Sequence, residues 1–144
     1  MPDIERLSPV EARDLLESGY VYVDVRSEPE FERGHPPGAL NVPFMHRGPT
    51  GLVANPDFVS VMEAAFEKTG ARLVLGCQSG NRSQKAGAAL VQAGFTDLRE
   101  LRTGWDGSRD AFGRVEPGWS KVGLPVETGV PAGQSYEDVK MRRR

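Results

Sequence analysis

The only cysteine of the chain, Cys77, stands in "RLVLGCQSGNRSQKAGAALVQAG", residues 72–94, at the join between an apolar run and a helical pattern. Directly after it come Gln78, Ser79, Gly80, Asn81, Arg82 and Ser83. A glycine lets the backbone curl, and successive amides turned inward make a nest for an anion. The positive end of the helix that follows adds to the same field. A sulfur at the centre of such a nest is favoured as the thiolate, its nucleophilic form. Arg82 brings a full positive charge to the cradle, so these residue types in this order point to a nucleophilic sulfur beside a bound oxyanion. A lone cysteine after an apolar strand is also often a small buried hydrophobe. The residues after it weigh against that reading, because glycine, asparagine, arginine and serine are poor core neighbours and good anion-loop residues.

The elements that must position this loop are readable on either side of it. "ARLVLG" is short and apolar enough for a central strand, and Ala86, Ala89, Leu90 and Ala93 recur at helical spacing after the loop. In open α/β sheets, ligands bind at the carboxyl ends of strands, and Cys77 occupies such a place. Upstream, "SPVEARDLLESG" predicts a short helix with Ser8 as N-cap, Pro9 at its first position, Glu11 closing a capping box and Gly19 at its stop. Residues 20–25, "YVYVDV", follow as a buried strand with Asp24 and Arg26 at its exit, where they are expected to fix neighbouring loops by an ion pair or backbone hydrogen bonds. "SEPEFERG" predicts a short helix, and "GALNVPF" a second short strand reached through the rigid "HPPG" turn. Asn55 as N-cap and Pro56 at the first position predict a helix whose stripe is Phe58, Val61, Met62, Ala65 and Phe66, ending before Gly70. "TDLRELR" predicts a further strand. The alternation of strands and helices predicts an α/β fold around a mostly parallel sheet.

With 144 residues and 38% hydrophobic content the chain suits one domain with one core. That domain is expected over residues 1–128, followed by a loose tail over 129–144 that is rich in Gly, Pro and polar groups. A net charge of −2 and the absence of a basic face give no reason to propose nucleic acid or an anionic membrane as partner. One cysteine cannot form an internal disulfide, and two histidines without a CxxC or HxxxH partner predict no metal site. No cofactor is expected. A free thiol suits a reducing compartment, and neither a signal peptide nor an apolar span is visible, so a cytoplasmic location is expected.

With these residues in view, the chain resembles the rhodanese family of sulfurtransferases over roughly residues 7–127. "CQSGNRS" is similar to the family's Cys-x-x-Gly-x-Arg-Ser pattern, "VDVRSEPEFERGHPPGALNVPF" to its Asp-x-Arg and Gly-His-x-Pro-Gly-Ala motifs, and "GLPVETG" to its closing motif. "VPFMHRGPTGLVANPDF" is also similar to the plant single-domain sulfurtransferases associated with senescence and to bacterial relatives. The resemblance implies a rhodanese-like fold, a mostly parallel five-stranded sheet flanked by helices on both faces. It departs from the family at "TGWDGSRDAFGRVEPGW", an insertion around residues 105–119 placed to cover one side of the site.

The resemblance also implies a reaction, in which the Cys77 thiolate takes the outer sulfur of thiosulfate or another sulfane-sulfur donor and passes it, from a persulfide, to cyanide or to a thiol such as thioredoxin or glutathione. Arg82 is the expected partner of the donor's sulfonate, and Gln78, Ser79, Gly80, Asn81, Arg82 and Ser83 are the expected source of amides and polar contacts. Asp24, Arg26 and His35 are expected to be structural, His35 as the turn histidine that bonds backbone. Trp105 and Trp119 are expected to pack, and His46 and Arg47 to line the mouth or face solvent. The same fold serves cysteine phosphatases and arsenate reductases, but their loop has five residues between cysteine and arginine, whereas four lie between Cys77 and Arg82. Two further readings are a persulfide relay to a specific partner and a non-enzymatic interaction module, although modules of that kind commonly lack the cysteine.

Overall fold

Strand β1 (Glu5–Leu7) opens the fold and leads into helix α1 (Pro9–Glu17), which starts where Ser8 and Glu11 predict it. The Ser8 hydroxyl accepts from the Glu11 N–H at 3.2 Å and the Glu11 carboxylate accepts from the Ser8 N–H at 2.9 Å. Two donors that a helix cannot satisfy internally are thereby paired. The computed structural model describes residues 4–142. Strand β2 (Val21–Asp24), helix α2 (Glu28–Arg33) and strand β3 (Leu40–Asn41) come next, then a hairpin of β4 (Met45–Gly48) and β5 (Gly51–Ala54). Helix α3 (Phe58–Ala65), strand β6 (Arg72–Gly76), helix α4 (Asn81–Ala93) and strand β7 (Asp97–Leu101) complete the central layers. A second hairpin, β8 (Gly107–Arg109) and β9 (Val115–Pro117), precedes a 3-10 turn over Trp119–Lys121 and the last helix, α5 (Tyr136–Lys140).

Five strands form one parallel sheet in the order β1-β7-β6-β2-β3. Parallel neighbours need crossovers, and helices supply them, so both faces of the sheet are covered. On one face Val23, Leu73, Leu75 and Leu98 pack with Phe58 and Met62 of α3 and Ala86 and Leu90 of α4. On the other, Tyr22, Val74 and Leu101 pack with Ala12 of α1, Phe31 of α2 and Trp119. The α/β class and the five-stranded parallel sheet expected from the sequence are therefore what the chain forms. Because β6 lies in the middle of the sheet, its carboxyl end opens between neighbours on both sides.

Two expectations are corrected. Helix α3 begins at Phe58 with Asp57 as its cap, not at Asn55. The Asn55 amide instead donates to Pro43 O at 2.8 Å and to the Tyr136 hydroxyl at 3.0 Å, while its Oδ1 accepts from the Asp57 N–H at 3.0 Å. Nor are residues 129–142 loose. Tyr136 and Val139 are buried in the main core, and Gln134 O accepts from the Asn41 N–H at 2.9 Å, so this segment is bound to β3 and α3. Residues 1–3 of the expected domain and 143–144 of the expected tail lie outside the described residues. Among the described residues, no helix is long and apolar enough to cross a membrane.

Candidate active site

Cys77 leaves β6 directly and is 1% exposed, so its sulfur sits at the floor of the loop. The loop is held open around it from outside. Cys77 O accepts from the Trp105 N–H at 2.8 Å and Gln78 O from the Asp106 N–H at 3.0 Å, which fastens this part of the loop to residues 105 and 106. Gly80 then takes φ +94° as the residue before α4, and its N–H donates to Cys77 Sγ at 3.1 Å. A side chain at this position would lie in a backbone region that L-residues avoid, with its Cβ 2.5 Å from Arg102 O. The thiol also lies 3.5 Å from the Ser83 hydroxyl, which is fully buried on the first turn of α4. An amide donor and a helix start thus converge on one sulfur.

The polar residues read from the sequence divide into three positions. Ser79 and Asn81 are exposed on the outer side of the loop. There they line a cavity of about 330 Å³ with Arg6, Arg102, Arg109 and Glu116, walled by the β8–β9 hairpin. Gln78 faces the other way, accepting from Arg26 Nη1 at 3.2 Å and donating to the Asp106 carboxylate. Arg82 is engaged by Glu30: its Nη1 and Nη2 donate to the two carboxylate oxygens at 2.8 and 2.9 Å. Burial alone would raise the Glu30 carboxyl, but the Arg82 and Ser27 hydrogen bonds outweigh it and hold it down at about 2. Glu30 also accepts from the Ser27 N–H and hydroxyl, so the start of α2 and the start of α4 share one carboxylate.

Behind the loop lies the ion pair of Asp24 and Arg26, both almost fully buried. Arg26 reaches Asp24 through Nε and Nη2, at 2.7 Å for the shorter contact, and donates from Nη2 to Gly34 O at 2.6 Å. Its guanidinium lies 5.1 Å from the centre of the Trp105 ring. One arginine therefore ties β2, the turn after α2, Gln78 and Trp105 together. His35 Nδ1–H donates to Phe31 O at 2.8 Å, its Nε2 lies 3.1 Å from the Glu127 carboxylate, and the ring stacks on Phe31 at 3.7 Å. Trp119 is buried, with its indole N–H donating to Pro125 O, and His46 of β4 lies against the ring of Tyr136 on α5.

Four participants have no counterpart in the sequence reading: Glu30, Asn41, Glu100 and Asp106. Asn41 donates from its amide to Asp24 O and Arg26 O, both at 3.0 Å, and so braces the ion pair. Ser27 and Glu30 stand at capping-box spacing, a signal that locates Glu30 on α2 but says nothing of Arg82.

The family described as "Rhodanese-like domain" matches residues 8–111. Thiosulfate sulfurtransferase 16, chloroplastic, of Arabidopsis thaliana is 40% identical over 116 residues, covering 81% of this chain and 87% of that protein. The senescence-associated protein DIN1 of Raphanus sativus is 38% identical over 116 residues, covering 81% of this chain and 57% of that protein. Among solved structures, Rv0390 from M. tuberculosis superimposes with a TM-score of 0.72 at 28% identity, over 89% of this chain and 100% of that chain.

Proposed function

The chain belongs to the rhodanese-like family, and from that premise we propose that it is a sulfurtransferase that carries sulfane sulfur on Cys77. The observation that carries this reading is the Gly80 N–H on Cys77 Sγ, in a loop whose outer carbonyls are fastened to residues 105 and 106. Preorganised donors of this kind stabilise charge as it develops and need no rearrangement during reaction. In the first half-reaction the thiolate of Cys77 attacks the outer sulfur of thiosulfate. The bond between the two donor sulfurs breaks, sulfite leaves with its electron pair, and Cys77 holds a persulfide. In the second, cyanide or a thiolate attacks the outer sulfur of that persulfide, and Cys77 departs as the thiolate. The product is thiocyanate or a new persulfide, and the kinetics are ping-pong.

Arg82 meets the donor's sulfonate in this reading by exchanging one of its two Glu30 bonds for a sulfonate oxygen, a contact of the same charge-assisted type. Asp24, Arg26 and His35 position the loop and take no part in bond making. The test is to incubate the protein with thiosulfate, remove excess donor and measure the intact mass beside Cys77→Ser. A gain of about 32 Da on the wild type alone, lost on adding cyanide or glutathione, is the expected result. No adduct on a folded wild type would remove thiosulfate as donor.

A further inference from the structure

Glu100 lies on β7 two residues after Leu98, on the face of the sheet that packs under α4, where the alternation calls for an apolar residue. It is 1% exposed. Its Oε1 accepts from Arg6 Nε at 3.0 Å, but its Oε2 is buried with no hydrogen-bond partner among the described residues. A buried carboxylate oxygen left unpaired is costly, and natural structures keep few of them. The nearby hydroxyl that acts on this carboxyl is that of Ser83, the same hydroxyl that lies 3.5 Å from Cys77 Sγ. Arg6 places the pair under the loop itself, since its Nη2 lies 3.0 Å from where a Cβ of Gly80 would be.

We infer that Glu100 is the proton acceptor of Cys77, acting through Ser83 as a positioning residue that the sulfur never touches. This rests on Cys77 being the reacting thiol. The thiol donates to Ser83 Oγ, which leaves the serine's own O–H free to donate to Glu100 Oε2. Transfer moves the Ser83 proton to Oε2 and the thiol proton to Ser83 Oγ. The products are a Cys77 thiolate accepting from Ser83 and a neutral Glu100 acid donating to Ser83, with no change in total charge. Burial pushes the Glu100 carboxyl up against the lowering effect of the Arg6 pair and of Ser83, in the direction this exchange needs. The Arg82 guanidinium also acts on Cys77, and the Tyr22 hydroxyl, which burial keeps neutral, faces both Cys77 and Glu100.

Two groups that share one proton titrate as a pair, and their internal exchange does not depend on pH. The thiolate, read by its absorbance near about 240 nm against Cys77→Ser, should therefore rise to a shoulder that is flat over about two pH units and then rise again. In Glu100→Gln, checked for folding by circular dichroism, the shoulder should vanish and the thiolate signal at about pH 6 should fall at least threefold. Ser83→Ala keeps the Arg6 bond to Glu100 and should lose the shoulder too, so it carries the test if Glu100→Gln does not fold. A single-step titration of the wild type, or a folded Glu100→Gln with the wild-type curve, would overturn the inference. No sulfur donor enters this measurement, so it stands or falls separately from thiosulfate loading.

Discussion

At the scale of residues, the chemistry of the Glu30–Arg82 pair decides how the loop arginine is used. Glu30 is held at about 2, below the 4.5 of an ordinary glutamate, so the folded chain binds fewer protons there than the unfolded one. The stability it contributes is complete above about pH 4.5 and is lost as pH falls towards about 2. Glu30→Gln should therefore cost about 2 kcal/mol at pH 7 and flatten the dependence of unfolding free energy on pH across that window, measured by urea denaturation at a series of pH values. The neutral amide also competes less for the guanidinium, so the KM for thiosulfate should fall several-fold. An unchanged KM with the same loss of stability at pH 7 would leave Arg82 a structural clamp only. Cys77, the Asp24–Arg26 pair and His35 could be read from the sequence because each lies in a motif whose partners are a few residues away. Glu30, Glu100 and Asp106 could not, since Arg82 is 52 positions from Glu30, Arg6 is 94 from Glu100, and Gln78 is 28 from Asp106. Nothing local in "SEPEF" or "DLREL" announces those contacts.

At the scale of elements, the site is a strand end, a four-residue bend and a helix start, and Gly80 is where these three meet. Its φ of +94° turns the chain from the loop into α4, and the turn is what aims its own N–H at the sulfur. Gly80→Ala would place a Cβ against Arg102 O in a strained backbone region, a cost of about 1–3 kcal/mol that the loop can relieve by moving. The variant should keep its fold, with single-turnover sulfur loading slowed by at least about tenfold, because small displacements of a reacting group are costly. Loading at the wild-type rate would mean that the Gly80 amide does not stabilise the reaction. Elements with a strong period were legible before the structure: α1 through its capping box, β2 and β6 through apolar runs, α4 through its alanines. Strand β1 was not, because only Leu7 of its three residues is buried, and the β4–β5 hairpin was not, because all four residues of β5 face solvent. Where neither face is core, no alternation marks a strand. The β8–β9 hairpin was visible only as extra length between Trp105 and Trp119, although its Glu116 takes a bidentate bond from Arg102 beside the loop.

At the scale of the whole molecule, the last segment joins the sheet to the site, which its Gly- and Pro-rich composition concealed. Tyr136 and Val139 recur at helical spacing and are buried, but a five-residue helix carries too little pattern to be read as amphipathic. Gln134 O takes the Asn41 N–H, and the Asn41 amide braces the backbone of Asp24 and Arg26, whose guanidinium holds Gln78. A chain ending at residue 128 would expose the core beneath Tyr136 and Val139, at about 1.5–3 kcal/mol for each side chain. It would also strand the Asn41 N–H and remove the hydroxyl partner of the Asn55 amide. Losses of this size are a large part of the 5–15 kcal/mol that typically separates folded from unfolded states, so the truncated chain should unfold at a much lower urea concentration, or not fold at all. Tyr136→Phe isolates the polar part: it keeps the ring in the core and removes only the bond to Asn55, and should cost about 1 kcal/mol. Because the connection runs on through Asn41 to the Arg26 clamp, a folded truncated chain should also load sulfur more slowly than the full chain. A truncated chain with the full chain's denaturation midpoint would show that residues 129–142 lie on the domain without supporting it.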